Sequence, residues 1–263
     1  MKKYLLFLSI AGLLAILQST PRAEAGIGVV TGVRGEATVR HEAKPQSQAV
    51  KFKDELFWLD TLNTGAQSGL RLLVLDQSVI TLKEHSQLQL REENATASQP
   101  RKKSVINLLS GAARAVVEKE ALKDTDYEIR TSRAVAGIRG SDLVGVIGTA
   151  LNDQLQALGL PRVPNNNCVA FITGPGSTVG VADAQLGSTN MGPLDLLIVC
   201  DQFTHQPISA GQFDDVSNFL PGSQDPDHLP PPPDIGPPDG GEPFTPPGFT
   251  PPPERPRPSR QRG

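Results

Sequence analysis

Residues 70–82, Leu-Arg-Leu-Leu-Val-Leu-Asp-Gln-Ser-Val-Ile-Thr-Leu, indicate the fold class of this chain. Apolar residues occupy every second position on both sides of Asp76-Gln77-Ser78, first at Leu70, Leu72 and Val74 and then at Ile80 and Leu82. Successive side chains of a β-strand point to opposite faces, so this alternation predicts two half-buried strands joined by a tight turn.

The same pattern extends in both directions from this stretch. Leu88 and Leu90 alternate with polar residues, as do Tyr127 and Ile129, and turn residues such as Asn63-Thr64-Gly65 and Ser110-Gly111 separate the runs. Short strands at near-regular spacing are typical of an all-β domain. We therefore predict a β-rich fold of short, antiparallel or solenoid-like strands.

Two stretches could also form helices. Ala112 to Leu122 contains good helix formers, but Ala113, Ala115 and Val117 alternate, and we interpret it as a strand followed by a turn. Leu151 to Leu160 places leucines on one face before Pro161, which predicts a small α-helical insertion.

Residues 1–25 have the features of a secretory signal peptide. Two lysines precede the apolar stretch Tyr4 to Leu17, and Ala23-Glu24-Ala25 is a small-x-small cleavage signature. Cleavage after Ala25 would leave Gly26 as the mature start. The alternative, an uncleaved membrane anchor, needs about 20 apolar residues. We expect cleavage, a periplasmic or secreted location and no transmembrane segment in the mature chain.

Composition divides the mature chain into three predicted parts. Residues 26–147 form the β domain, and residues 148–215 are a Gly- and Asn-rich extension that continues it. Residues 216–263 are rich in proline, almost free of aliphatic side chains, and end in several arginines. Such a segment buries too little apolar surface to offset its ordering entropy, which predicts a disordered tail. A tail of this composition could also extend the reach of the domain or bind an aromatic groove.

Cys168 and Cys200 are the two cysteines of the chain. Disulfides persist in oxidising compartments, so export predicts a Cys168–Cys200 bond. A metal site is a weak alternative, because neither cysteine belongs to a CxxC pair or lies beside a histidine cluster.

The sequence offers no evident catalytic or metal-binding constellation. The histidines, His41, His85, His205 and His228, are scattered, and the aspartate pairs lack further oxygen ligands. Gly174-Pro175-Gly176-Ser177-Thr178 lacks the lysine of a phosphate loop, and we predict a hairpin turn there. A formal charge of −3 with both signs interspersed gives no reason to expect nucleic acid. We expect no enzyme activity, no cofactor and no metal.

Three further stretches carry a resemblance to a known family, at residues 28–39, 62–82 and 126–141. In the third, Gly137-Ile138-Arg139-Gly140-Ser141 is the most specific motif. The two glycines allow a sharp turn between strands, and Arg139 can hydrogen-bond at the corner. Together these stretches resemble the FecR-type domain of bacterial cell-envelope proteins, although Gln77 and Ser141 replace a usual glycine and threonine.

The best-known members of that family relay the state of a receptor to a sigma factor through a cytoplasmic segment. Here the predicted signal peptide directly precedes the domain, which argues against that transducer role. We expect a non-enzymatic binding or scaffolding module for an envelope protein or polysaccharide. Two alternatives remain open: a regulatory sensor that acts in trans on a transmembrane signalling partner, and an envelope glycan hydrolase.

Overall fold

Alternating apolar residues build two β-sheets that pack face to face. The computed structural model describes residues 26–74, 77–93, 102–117, 123, 125–138 and 142–218. Within these residues, eighteen strands form two nine-stranded sheets, and two short helices accompany them. The predicted all-β fold with a small α-helical insertion is confirmed.

The first sheet contains half of the strands. In spatial order they are β18 (Phe203–Pro207), β17 (Asp195–Val199), β14 (Val169–Thr173), β13 (Asp142–Ile147), β10 (Ala112–Val116), β7 (Val79–Leu82), β6 (Gly69–Val74), β1 (Gly28–Arg34) and β4 (Glu55–Leu56).

The second sheet contains the other half. In the same spatial direction they are β16 (Gly187–Met191), β15 (Val179–Asp183), β12 (Ala134–Ile138), β11 (Thr125–Arg130), β9 (Lys102–Ser110), β8 (Gln87–Glu93), β5 (Thr61–Thr64), β2 (Ala37–His41) and β3 (Lys44–Ala49).

The chain passes repeatedly from one sheet to the other, and each pass adds strands farther towards the same end of both sheets. Strand numbers rise along each sheet apart from the first two strands at one end, which is the solenoid-like progression expected from the sequence. Neighbouring strands pair in antiparallel fashion, except that β11 pairs with β9 in parallel. The last strands of the chain, β14 to β18, extend the same two sheets.

The main core lies between the sheets. It contains the inward-pointing residues of both, including Leu70 and Leu72 of β6 and Leu62 of β5, none of them exposed to solvent. These are the apolar positions that the alternation in the sequence identified. Burial of such side chains stabilises each by about 1.5–3 kcal/mol relative to exposure.

A second core covers the outer face of the first sheet. Helices α1 (Asn152–Ala157) and α2 (Ala210–Ser217) supply Leu155, Phe213 and Val216 to it. Helix α2 begins with a capping box, in which Ser209 and Gln212 hydrogen-bond reciprocally. Helix α1 is shorter than predicted, because Gly159 adopts a left-handed φ of 68° before Pro161 is reached.

The predicted hairpin at Gly174 to Thr178 is wrong. The segment joins β14 to β15, but β14 pairs with β13 and β17, whereas β15 pairs with β12 and β16. The two strands therefore lie in different sheets, and the glycines turn the chain from one sheet to the other. Local sequence predicts a turn but does not choose the partners of the flanking strands.

The chain divides into two units, residues 1–223 and residues 224–263. All described strands and helices belong to the first unit. The predicted signal peptide and most of the proline-rich segment lie outside the described residues.

Candidate functional site on the polar face of the second sheet

The outer face of the second sheet carries polar side chains in register. Asn63 of β5 lies opposite Gln87 of β8, and Gln89 of β8 lies opposite Asn107 of β9. Each alternates with residues of the main core, such as Leu62, which turns the amide side chains outward. We call the outward-pointing residues of β5, β8, β9, β11, β12, β15 and β16 the polar face.

Most of these amides have unused hydrogen-bonding capacity. Asn63, Gln87 and Asn107 are half-buried, and their side chains make no hydrogen bond within the described residues. Gln89 donates from Nε2 to the Leu59 carbonyl at 3.3 Å and keeps its own oxygen for other partners. Each amide offers both donors and an acceptor, so the row can bind hydroxyl, amide or carbonyl groups of a ligand.

A charged network lies on the same face beside these amides. Arg130 of β11 binds Glu93 of β8 with Nη1 to Oε1 at 2.6 Å and Nη2 to Oε2 at 3.1 Å. Its Nε and Nη2 also donate to Glu128 Oε2, at 3.0 and 2.8 Å. Lys103 of β9 donates to Glu128 Oε1 at 2.8 Å. The network ties three adjacent strands, including the parallel pair of β9 and β11.

The network holds its carboxylates ionised. Hydrogen bonding from Arg130 lowers the pKa of Glu93 below its ordinary value. Burial alone would raise the pKa of Glu128, but the hydrogen bonds from Lys103 and Arg130 outweigh burial and lower it. The bond to Glu93 correspondingly raises the pKa of Arg130. These groups therefore stay charged, and mutually neutralised, at neutral pH.

Val105 is a buried apolar residue on this face. It belongs to neither apolar core, and its cross-strand partners are Arg91 and Glu128. The ion pairs around it join β8, β9 and β11 and form a fixed wall on the polar face.

Two glycines form a shallow trough next to this wall. Gly137 of β12 lies between Glu128 and Gly180 of β15, and Gly180 lies opposite Asn190 of β16. An added Cβ at Gly137 would come no closer than 3.7 Å, to the Gly180 carbonyl, and one at Gly180 no closer than 3.6 Å, to Asn190 Oδ1. The missing side chains therefore expose backbone between Glu128 and Asn190, and the space is open to a ligand.

The predicted motif turn divides between described and undescribed residues. Gly137 and Ile138 are the last two residues of β12, and Ile138 points into the main core. Arg139, Gly140 and Ser141 lie outside the described residues, between β12 of the second sheet and β13 of the first. Of the predicted cleavage residues, Gly26 is described and Ala25 is not.

The predicted disulfide is present. Cys168 and Cys200 are bonded, with their Cα atoms 4.7 Å apart. They flank the register pair Val169 and Val199 of β14 and β17. Cys168 is buried in the second core and Cys200 packs against it, so the bond lies on the helix-covered side of the first sheet.

Two histidines make polar contacts that the sequence did not reveal. His41 Nδ1 lies 2.8 Å from Oδ1 of the buried Asp60, whose Oδ2 accepts the Phe57 N–H at 2.8 Å. His205 Nδ1 lies 2.7 Å from Asp195 Oδ2, and its Nε2 lies 3.1 Å from Thr189 Oγ1. The contact between Thr189 of β16 and His205 of β18 joins the terminal strands of the two sheets, and so links the sheets at that end.

The described residues contain no group of three or more His, Cys, Asp or Glu side chains arranged to hold a metal ion. Nor does any helix among them have the length and apolarity needed to cross a membrane.

Sequence reasoning missed the polar face, although part of its signal was present. The alternation that identified Leu88 and Leu90 as core also places Gln87 and Gln89 on the opposite side. The trough could not be found in this way, because it requires Gly137 and Gly180 to be neighbours across two strands that are distant in sequence.

Comparison with known proteins identifies a family domain within the chain. Residues 60–155 match the family described as FecR protein. This match covers the resemblance at residues 62–82 and 126–141, whereas residues 28–39 lie before it. No curated protein matches the chain.

Two crystal structures of a proposed anti-sigma factor from Parabacteroides distasonis are similar in structure. One aligns with a TM-score of 0.43 and 13% identity over 59% of this chain and 62% of that chain. The other aligns with a TM-score of 0.42 and 12% identity over the same shares, 59% and 62%. This chain therefore spans less than two thirds of either structure, and a likeness this distant carries no argument about function.

Proposed function

We propose that this chain, built around its FecR family domain, is an exported, non-enzymatic binding module whose polar face holds a protein or glycan partner of the cell envelope. The observation that carries the proposal is the combination of half-buried amides, a fixed charged wall and a glycine-floored trough on a sheet face over which no described helix packs. The amides of Asn63, Gln87 and Asn107 supply donors and acceptors at half-buried positions. A ligand lying across the strands would meet them in register.

The charges on this face favour binding over catalysis. A glycoside hydrolase needs one carboxyl group whose pKa is raised so that it can act as a general acid. Glu93 and Glu128 have the opposite property, since Arg130 and Lys103 lower the pKa of both. Their role in this proposal is to fix the shape and polarity of the wall.

The Cys168–Cys200 disulfide supports export, because such bonds persist mainly in oxidising compartments. The signal-peptide features of residues 1–25 also support export. The proline-rich residues that follow the domain would act as a spacer between the module and its surroundings.

The experiment that tests the proposal uses Gly137→Val and Gly180→Val in the chain that begins at Gly26. Both glycines have negative φ, and a Cβ meets only ordinary contacts at either site, so the fold should persist while the trough fills. Each variant would be immobilised and incubated with envelope protein and polysaccharide fractions. We expect the unsubstituted chain to retain a defined component and the variants to lose it.

A matched control comes from the first sheet. Gly32→Val makes the same change on β1, where an added Cβ would come no closer than 3.4 Å, to Arg71 Cβ. It should retain the component. Equal recovery by all variants, or no recovery by the unsubstituted chain, would contradict a binding role for the polar face.

A second candidate, a regulatory sensor that acts in trans, is favoured by the FecR family domain itself. The same pull-down separates it from a scaffolding role. A sensor should retain a transmembrane signalling protein, whereas a scaffold should retain a structural envelope protein or a polysaccharide.

A further inference from the structure

Phe52 is the most exposed large apolar side chain of the described residues, at 62%. It lies at the tip of the turn between β3 and β4, and Lys51 and Lys53 flank it, both exposed. Neither lysine makes an ion pair within the described residues. An exposed aromatic ring therefore lies between two ammonium groups that form no ion pair with any described residue.

Backbone hydrogen bonds hold this turn in place. The Lys51 N–H donates to Asp54 Oδ2 at 2.7 Å, and the Asp54 N–H donates to the Lys51 carbonyl at 3.2 Å. The Lys53 N–H donates to the Val30 carbonyl of β1 at 2.8 Å, and the Val30 N–H donates back to the Asp54 carbonyl at 2.9 Å. Phe52 is thus exposed by a fixed turn joined to the first sheet.

Lys53 adopts an unfavourable backbone conformation in this turn. Its φ is 71°, in the left-handed region that favours glycine. Its ammonium lies 5.5 Å from the centroid of the Phe52 ring. A lysine at this position keeps a positive charge beside the ring, which a glycine would not do.

Two acidic residues follow the tip of the turn. The carboxylate of Asp54 accepts the Lys51 amide within the turn. Glu55 is exposed on β4, and its Oε2 lies beside Gly26, 3.9 Å from the position of an added Cβ. Lys51, Phe52 and Lys53 are all exposed, whereas Asp54 is half-buried.

We propose that the Lys51-Phe52-Lys53 turn docks the protein onto an anionic phospholipid surface. Aromatic rings sit favourably at the boundary between headgroups and acyl chains, and lysines beside them bind lipid phosphates. The turn lies next to edge strands β3 and β4, at the end of both sheets, so a flat surface can approach it. One ring and two charges give reversible attachment, which leaves the polar face free for its own partner.

Vesicle co-sedimentation tests the proposal with the chain from Gly26 to Gly263, which retains every described strand. We expect binding to vesicles that contain phosphatidylglycerol and much weaker binding to pure phosphatidylcholine. Phe52→Ala should weaken binding about tenfold, because one large apolar side chain no longer leaves water. Lys51→Gln combined with Lys53→Gln should remove the preference for phosphatidylglycerol and the dependence on salt.

Leu73→Ala is the matched control, since Leu73 is 37% exposed on β6 of the first sheet and lies outside both the turn and the polar face. It should bind vesicles as the unsubstituted chain does. Circular dichroism of each variant checks that the fold persists, and Phe52→Trp should preserve binding. Failure of the unsubstituted chain to sediment with phosphatidylglycerol would overturn the proposal. So would loss of binding in Leu73→Ala but not in Phe52→Ala.

Discussion

The outer faces of the two sheets differ in what covers them. On the first sheet, β13, β14 and β17 turn apolar side chains outward, and helices α1 and α2 pack over them to form a second core. On the second sheet, the corresponding positions hold amides, glycines and ion pairs, and no described helix packs over them. The two sheets share one inner core but have different outer environments.

This difference is visible in the residue pattern of single strands. A strand buried on both faces reads as a continuous apolar run, as Val169–Thr173 does, whereas a strand open on one face alternates, as Gln87–Glu93 does. The covered sheet contributes stability from both of its faces. The open sheet contributes stability mainly from its inner face.

The largest expected loss of stability comes from truncating Phe213 of α2, one of the helices that cover the outer face of the first sheet. Its ring is 1% exposed and lies under the guanidinium of Arg114, 5.5 Å away. Phe213→Ala should lower the free energy of unfolding by about 3–5 kcal/mol, through lost burial and the cavity left behind. Urea denaturation measures this loss. Leu109→Ala on the open face is the comparison and should cost less than about 1 kcal/mol; similar losses for both would show that the faces do not differ energetically.

A slightly smaller effect is expected from the disulfide of the covered face. Replacing both Cys168 and Cys200 with Ala removes a cross-link between residues 32 apart in sequence. The closed loop restricts the unfolded chain, so its loss should cost about 3–4 kcal/mol on the chain-entropy model. Thermal and urea unfolding of the double variant, beside the reduced native protein, measure it. A loss below about 1 kcal/mol in both would show that the helices hold this face without the bond.

The smallest expected effect comes from the ion pairs of the open face. Arg130→Met removes the shared partner of Glu93 and Glu128 and should cost about 1–2 kcal/mol at neutral pH, since these side chains are only partly exposed. Both carboxylates have a lowered pKa in the folded state, so their contribution is present above the unfolded pKa, about 4.3. It is lost as the pH falls through the folded pKa.

Urea unfolding of Arg130→Met and the unsubstituted chain at neutral pH and near pH 3 checks this sign. The difference between the two proteins should shrink at the lower pH. Arg40→Met is the control, because Arg40 is exposed on β2 of the same sheet, forms no ion pair among the described residues and does not act on the pKa of Glu93 or Glu128. A difference that stayed constant with pH would mean that packing by the Arg130 stem, and not its charge, supplies the stability.

The sequence predicted the strands well because their signal is local. Alternation at Leu70 and Leu72 or at Tyr127 and Ile129 depends only on the opposite directions of successive side chains. The turn at Gly174 to Thr178 was misread for the complementary reason. A glycine-rich turn is compatible with a hairpin or a crossing between sheets, and the pairing of distant strands decides which one forms.

Local sequence patterns could not predict the candidate site either, because the site depends on the pairing of strands that are distant in sequence. Asn63 and Asn107, or Gly137 and Gly180, are more than forty residues apart, and they share a surface only because β5 and β9 flank β8 and β12 pairs with β15.

By itself, the amino-acid sequence determined the all-β class, the resemblance of residues 60–155 to FecR proteins and the pairing of the two cysteines, since each depends on short motifs or on a choice among few partners. The tertiary structure alone decided which face of which sheet is covered. It also decided where amides, glycines and charges from different strands meet. The physical reason is that periodicity sets the direction of each side chain, whereas its neighbours are set by hydrogen bonds between strands distant in sequence.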